Sequence, residues 1–253
     1  MAKMTLLEIV QSVLNDMDSD AVDSIDDTVE SQQVASIVRD VYNELISNRN
    51  WPHLRKITQL EASNDFEKPT HLKLPEGTKE LIFFRYDKRR IYNATQSVYE
   101  EVRYKEPDAF LRMISGRNTT NENVRIIEDY SGIQLLVHNN QPPTYWTSFD
   151  DQYIVCDSYD SELDDTLKQS KTQALAYIEP VWEGLNDSVP DLPSEAFSAL
   201  LAEVKSLAFF TLKQMVNTKA EATSQRQQRW LSRKAWSAAG GVNYSNFGRK
   251  GRR

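Results

Sequence analysis

NVRIIEDYSGIQLLVHNN, residues 123–140, holds two short extended runs of β-branched and other apolar side chains, bounded by turn residues such as Asp129 and Gly132. Runs of this kind fill the middle of the chain. KITQLEA (56–62), THLKLPEG (70–77), ELIFFRYDKR (80–89), RIYNAT (90–95) and DQYIVCDSY (151–159) are bounded in the same way by Asn, Asp, Gly or Pro. Together they predict a small antiparallel β domain. EPDAFLRMISG (106–116) interrupts the series with Pro107 in a first helical turn and Phe110, Leu111 and Ile114 on one side, predicting one short helix against the sheet. LKQSKTQALAYIEPVW (167–182) fits a strand or a helix equally well.

Outward from this block the period changes to that of helices. Thr5 and Glu8 in TLLE form a capping box, followed by the apolar face Leu6, Ile9, Val10, Val13, Leu14 and Met17. An acidic linker, DSDAVDSIDD (18–27), leads to a second helix over Val29–Ser47 with inward residues Val34, Ile37, Val38, Val41, Leu45 and Ile46. Trp51-Pro52 ends it, because proline disfavours helical dihedrals in the residue before it. On the other side, LPSEAF (192–197) opens a long helix that meets no Gly or Pro before Gly240, with the stripe Phe197, Leu200, Leu201, Val204, Leu207, Ala208 and Met215. The expected class is α+β: a helical bundle with an inserted antiparallel β-rich domain and an extended C-terminal arm. The expected divisions are 1–52 for the first part of the bundle, 53–185 for the β-rich insertion, 186–238 for the long helix and 239–253 for the arm.

Charge sets the arm apart. From Ala222 onward there are eight Lys or Arg and no Asp or Glu, whereas the preceding residues carry 22 basic and 37 acidic side chains. Trp230, Trp236, Tyr244 and Phe247 are spread through the same stretch, which has too few aliphatic residues for a core of its own. An acidic body repels a polyanion, while spaced aromatics suit pockets on a protein. The alternative is a nucleic-acid-binding protein that uses the arm for phosphate contacts and base stacking.

Most chemistry is excluded by composition. There is no GxGxxG, GxxxxGK[ST] or GxSxG among only eight glycines, and His53, His71 and His138 lie in separate segments. The acidic cluster Asp150, Asp151, Asp157, Asp160, Glu162, Asp164 and Asp165 lacks the EF-hand glycine and spaced glutamate, so a solvated acidic loop or an acidic contact surface is expected there rather than a cation site. Cys156 alone excludes an internal disulfide and is expected to pack as a small hydrophobe. No run approaches the roughly 20 apolar residues of a membrane span, and MAKMTLLEIVQ lacks the features of a signal peptide. The reading is of a non-enzymatic protein without cofactor, metal or membrane, made in a cytosol.

A resemblance sharpens this. QPPTYWTSFDDQYIVCDSYDSELDDTLKQSKTQA (141–174) resembles a sequence common in structural proteins of tailed bacteriophages. The wider plan is similar to the tail tubular protein A, or head-to-tail adaptor, family of short-tailed phages: a first helix, an acidic linker, a second helix ending in Arg49-Asn50-Trp51, an extended segment leading to LPEG, and a late helix opened by PDLPSEAFSALLAE. It covers about Thr5 to Trp236. The family implies a dodecameric ring beneath the portal, a β-rich domain toward the tail, an arm that grips the portal, and a channel that genomic DNA crosses without specific binding. By this resemblance the portal-binding residues are Trp230, Arg233, Lys234, Trp236, Tyr244, Phe247, Arg249, Lys250, Arg252 and Arg253, while Tyr145, Trp146, Asp150 and Asp151 are tail-side or inter-subunit contacts. The other partner is a tail nozzle or another tail protein, and the place of action is the portal–tail junction of a virion assembled in the host cytoplasm. A chain with so little internal core in its arm is expected to be mainly monomeric until it meets a preformed portal.

Overall fold

A computed structural model describes residues 3–89 and 97–238, with side chains as far as Leu231. The chain divides into two compact units: one drawn from both ends, up to His53 and from Pro180, and one formed by Leu54–Glu179. The fold is α+β.

In the unit built from the chain ends, helix α1 (Leu6–Asp16) begins at the expected capping box. Thr5 N–H donates to Glu8 Oε2 at 2.8 Å and Glu8 N–H to Thr5 Oγ1 at 3.2 Å. Helix α2 (Val29–Ser47) starts with the same device made from Thr28 and Ser31, and buries Val34, Val38, Val41, Tyr42 and Ile46. Ile37 and Leu45, expected in its stripe, are only half-buried. Trp51 closes the element as expected: it is buried, and its indole N–H donates to the Leu45 carbonyl at 2.9 Å. The acidic linker is held by burial of Val22 and by hydrogen bonds. Asp27 accepts from Asp23 N–H and Ser24 N–H, and the Asn186 side chain accepts from Ile25 N–H. Backbone carbonyls of Asn186 and Ser188 accept from the first turn of α1.

The long C-terminal helix is not continuous, which corrects the sequence expectation. Helix α4 (Phe197–Lys213) stops at Gln214, whose φ of 53° lies in the left-handed region, and α5 (Thr218–Ala238) restarts four residues later. No Gly or Pro marks the break, but Asn217 caps the new helix: its side-chain oxygen accepts from Ala220 N–H at 3.0 Å. The two helices fold back on each other, with Ser224 of α5 donating to Glu203 of α4 and Leu231 buried. Helix α4 also packs on α1 and α2.

The described residues of the other unit form three sheets. Strands β1 (Arg55–Thr58), β2 (Glu61–Ala62), β3 (His71–Lys73), β4 (Thr78–Asp87), β5 (Tyr99–Glu101), β6 (Arg103–Tyr104), β7 (Val124–Glu128), β8 (Gln134–His138), β9 (Tyr145–Ser148), β10 (Tyr153–Cys156) and β11 (Thr172–Ile178) are joined in part by helix α3 (Pro107–Ser115). Their orders are β1-β11-β4-β5, β2-β3-β10-β9-β6 and the ribbon β7-β8. Among the named strands the pairings are antiparallel, as expected, apart from the short parallel pair of β6 with β9. The ambiguous segment resolves as β11, a central strand. Thr172, Ala174 and Ala176 alternate inward, and small residues let it sit between two neighbours. The core joins Leu60, Leu72, Phe84, Phe110, Leu135, Ile154 and Cys156, with α3 laid on β8 and β9. Cys156 is fully buried, and burial pushes its thiol well above its ordinary value. RIYNAT (90–95) lies outside the described residues.

Candidate partner-binding surfaces

Of the residues assigned to portal binding, Trp230 is the one whose side chain is described. It stands on α5 one turn from Arg226, and with Gln227 these face Ser194, Glu195 and Ser198 at the start of α4 across an open groove of about 410 Å³. Trp230 keeps 45% of its surface accessible. An indole and a guanidinium lining a concavity are the side chains most often found anchoring protein contacts. Arg233, Lys234 and Trp236 continue the backbone of α5 beyond the last described side chain. Tyr244, Phe247, Arg249, Lys250, Arg252 and Arg253 lie outside the described residues.

The break between α4 and α5 creates a second surface that the sequence pattern hid. Leu207 and Met215, expected on the buried stripe, are exposed at 38% and 62%, and Phe210 and Val216 at 64% each. On a continuous helix Met215 extends the stripe of Val204 and Ala208. A reversal at Gln214 instead carries it into the connection with Val216. The missed signal was Asn217, a good N-cap residue immediately after two apolar residues. Exposed apolar side chains grouped on one end of an element are suited to burial against another protein.

Tyr145 and Trp146 are neighbours on β9 and so point to opposite faces of the sheet. Both are half-buried. The Lys105 ammonium stands 4.6 Å from the Tyr145 ring centre, and Trp146 packs against Tyr104 with centroids 4.9 Å apart. Asp150 and Asp151 form the turn after β9. Asp150 accepts from Gln152 N–H and Tyr153 N–H, and Asp151 takes a φ of 58°. Asp150 thus commits Oδ1 to the turn while the side chain stays exposed.

The wider acidic cluster disperses into separate tasks. Asp157 is buried: Oδ1 accepts from Thr144 N–H and Tyr145 N–H, and Oδ2 pairs with Arg117 at 3.1 Å. Asp164 pairs with Lys171. Among the described residues no three His, Cys, Asp or Glu side chains come together as a metal would require. The histidines are likewise apart. His53 meets the Asp191 carbonyl at 3.0 Å, while His71 is fully buried against Asp129. Burial holds His71 below its ordinary value against the opposing pull of Asp129. Asp129 is also lowered: burial raises it, but the Ser131 hydroxyl and N–H and the His71 ring outweigh that.

No protein-family model matches this chain, and no curated protein is significantly similar to it. No described helix is long and apolar enough to cross a membrane.

Proposed function

We propose that this protein is a non-enzymatic head-to-tail adaptor of a short-tailed bacteriophage, assembling as a ring on the portal and joining it to the tail while leaving a channel for DNA. One observation supports this beyond the resemblance of residues 141–174. The unit from the chain ends leaves Phe210, Met215, Val216 and Trp230 accessible on a helical pair that leads directly into the basic, aromatic C-terminal stretch. Of these, Trp230 stands beside Arg226, a pairing that suits acidic and apolar pockets at a subunit junction. The strongly acidic remainder suits a channel wall that DNA slides past.

The test is negative-stain microscopy of the full chain with and without the portal protein of the same phage. A ring that forms only on the portal is expected. Failure to bind the portal overturns the reading, and so does tight DNA binding that outlasts the portal complex as salt rises.

A further inference from the structure

Residues 180–191, in the unit built from the chain ends, are neither helix nor strand, yet their exposure alternates. Val181, Glu183, Leu185, Asp187, Val189 and Asp191 are exposed, and the residues between them are half-buried or buried. The outward positions therefore alternate aliphatic with acidic, and Val181 keeps 87% of its surface accessible. This ledge is fixed from behind. The carbonyls of Asn186 and Ser188 accept from Leu7 N–H and Leu6 N–H, and the Trp182 ring packs on Tyr42 with centroids 4.9 Å apart. Gly184, at a φ of 68°, lies against that indole, where a Cβ would come within 3.2 Å of Nε1. Beside Tyr42 and Trp182 opens a concavity of about 200 Å³, lined also by Val181, Glu183, Val189 and Asp191. Asp191 Oδ1 lies 3.7 Å from His53 Nε2, whereas Glu183 and Asp187 make no ion pair among the described residues.

We propose that this ledge is the resting site of the chain's own C-terminal tip, residues 244–253. The tip reads YSNFGRKGRR, two aromatic residues followed by four cations with no acid among them. The ledge presents the complement, aliphatic side chains interleaved with three carboxylates. Apolar contact framed by opposite charges gives both affinity and register. Length lets one copy supply both parts. Residues 239–253 can reach about 50 Å at about 3.3 Å per residue, which exceeds the breadth of a body of about 100 residues with a radius of gyration of about 13 Å. A tethered segment meets its site at an effective concentration of millimolar order, so a contact too weak to join two copies still closes within one. The closed form is favoured only a few-fold, too little to register in the melting temperature. Closure neutralises the cations that would otherwise attract DNA, and a portal pocket of the same acidic and apolar character displaces the tip. The inference rests on the adaptor reading for that release alone.

The test treats the full-length protein, at low micromolar concentration, with a carbodiimide that joins a lysine amine directly to a carboxylate in contact with it. Unlabelled and nitrogen-15-labelled protein are mixed in equal amounts, so that mass spectrometry separates links within a copy from links between copies. Lys250 is expected to join Glu183, Asp187 or Asp191 of its own copy. Replacing the exposed pair Val181→Ser and Val189→Ser keeps all three carboxylates and is expected to reduce these links about fivefold, as is Tyr244→Ala with Phe247→Ala. Four results overturn the proposal: no Lys250 links, links spread over other carboxylates without preference for the ledge, links that join labelled to unlabelled copies, or links unchanged in both double variants. Portal attachment is read separately on untreated protein. A missing ledge contact with retained attachment removes the resting site and leaves the adaptor reading standing.

Discussion

His71 on β3 reaches across to Asp129, with Nε2 2.9 Å from Oδ1, and fastens the tip of the β7–β8 ribbon to the five-stranded sheet. The other oxygen of Asp129 accepts from the Ser131 hydroxyl and N–H, and Tyr130 sets its ring edge-on to the imidazole at 5.5 Å. Both ionisable groups are held below their ordinary values, so acid acts on them in one direction. The unfolded chain binds a proton at His71 below about pH 6.5, before the folded chain does, and stability falls from there. Asp129 adds stability that is present above its ordinary 3.8 and is lost as pH falls through its lower folded value. Urea denaturation from about pH 7.5 down to 5 is expected to show a decline that His71→Asn flattens. An equally steep decline in the variant removes His71 from the account.

Arg117 and Asp157 form the second buried connection, with side chains 10% and 4% exposed. The guanidinium also donates to the carbonyls of Leu136 and Asp157. Replacing Asp157 with Ala strands a buried cation and two backbone N–H groups, so a loss of about 3–5 kcal/mol is expected in equilibrium unfolding. Arg112→Ala, which breaks an ion pair exposed on both sides, is the control and is expected to change little.

The turn at Gln214 predicts a sign. A non-glycine residue in the left-handed region costs about 1–2 kcal/mol, so Gln214→Gly is expected to raise the melting temperature. In an uninterrupted helix the same change lowers stability by about 1 kcal/mol. A thermal melt distinguishes the two.

Deleting residues 237–253 is expected to leave the circular dichroism spectrum and melting temperature nearly unchanged and to abolish portal attachment. A pull-down with the portal checks the second part, and retained binding by the truncated chain sinks the portal role of the arm.

The elements that local chemistry dictates were legible in advance. Thr5 with Glu8, Pro107 at the start of α3, and Trp51-Pro52 at the end of α2 each declare a boundary through their own side chains. The α4–α5 reversal was not, because its left-handed residue is a glutamine and the helix formers on both sides fit an unbroken helix as well. β11 was ambiguous because alanines suit a helix by propensity, and only neighbours on both sides make small residues right for a strand. Burial of His71 and Asp157 was equally hidden. Their partners lie 58 and 40 residues away in sequence, and no spacing rule links them. For the candidate surfaces, the aromatic and basic composition of the C-terminal stretch was plain, whereas the exposure of Met215 depends on a turn whose one local signal, the N-cap residue Asn217, also fits an unbroken helix.

The antiparallel register of Arg55 with Tyr177 brings the entrance and exit of the β unit side by side, within about 5 Å. Such an insertion can be completed without help from the residues that follow it. During synthesis, Leu54–Glu179 is made before any of α4, while α1 and α2 have been made without the third helix they pack against. The middle of the chain can therefore mature first, while the earliest helices wait for α4 to complete the core around Val34 and Val38.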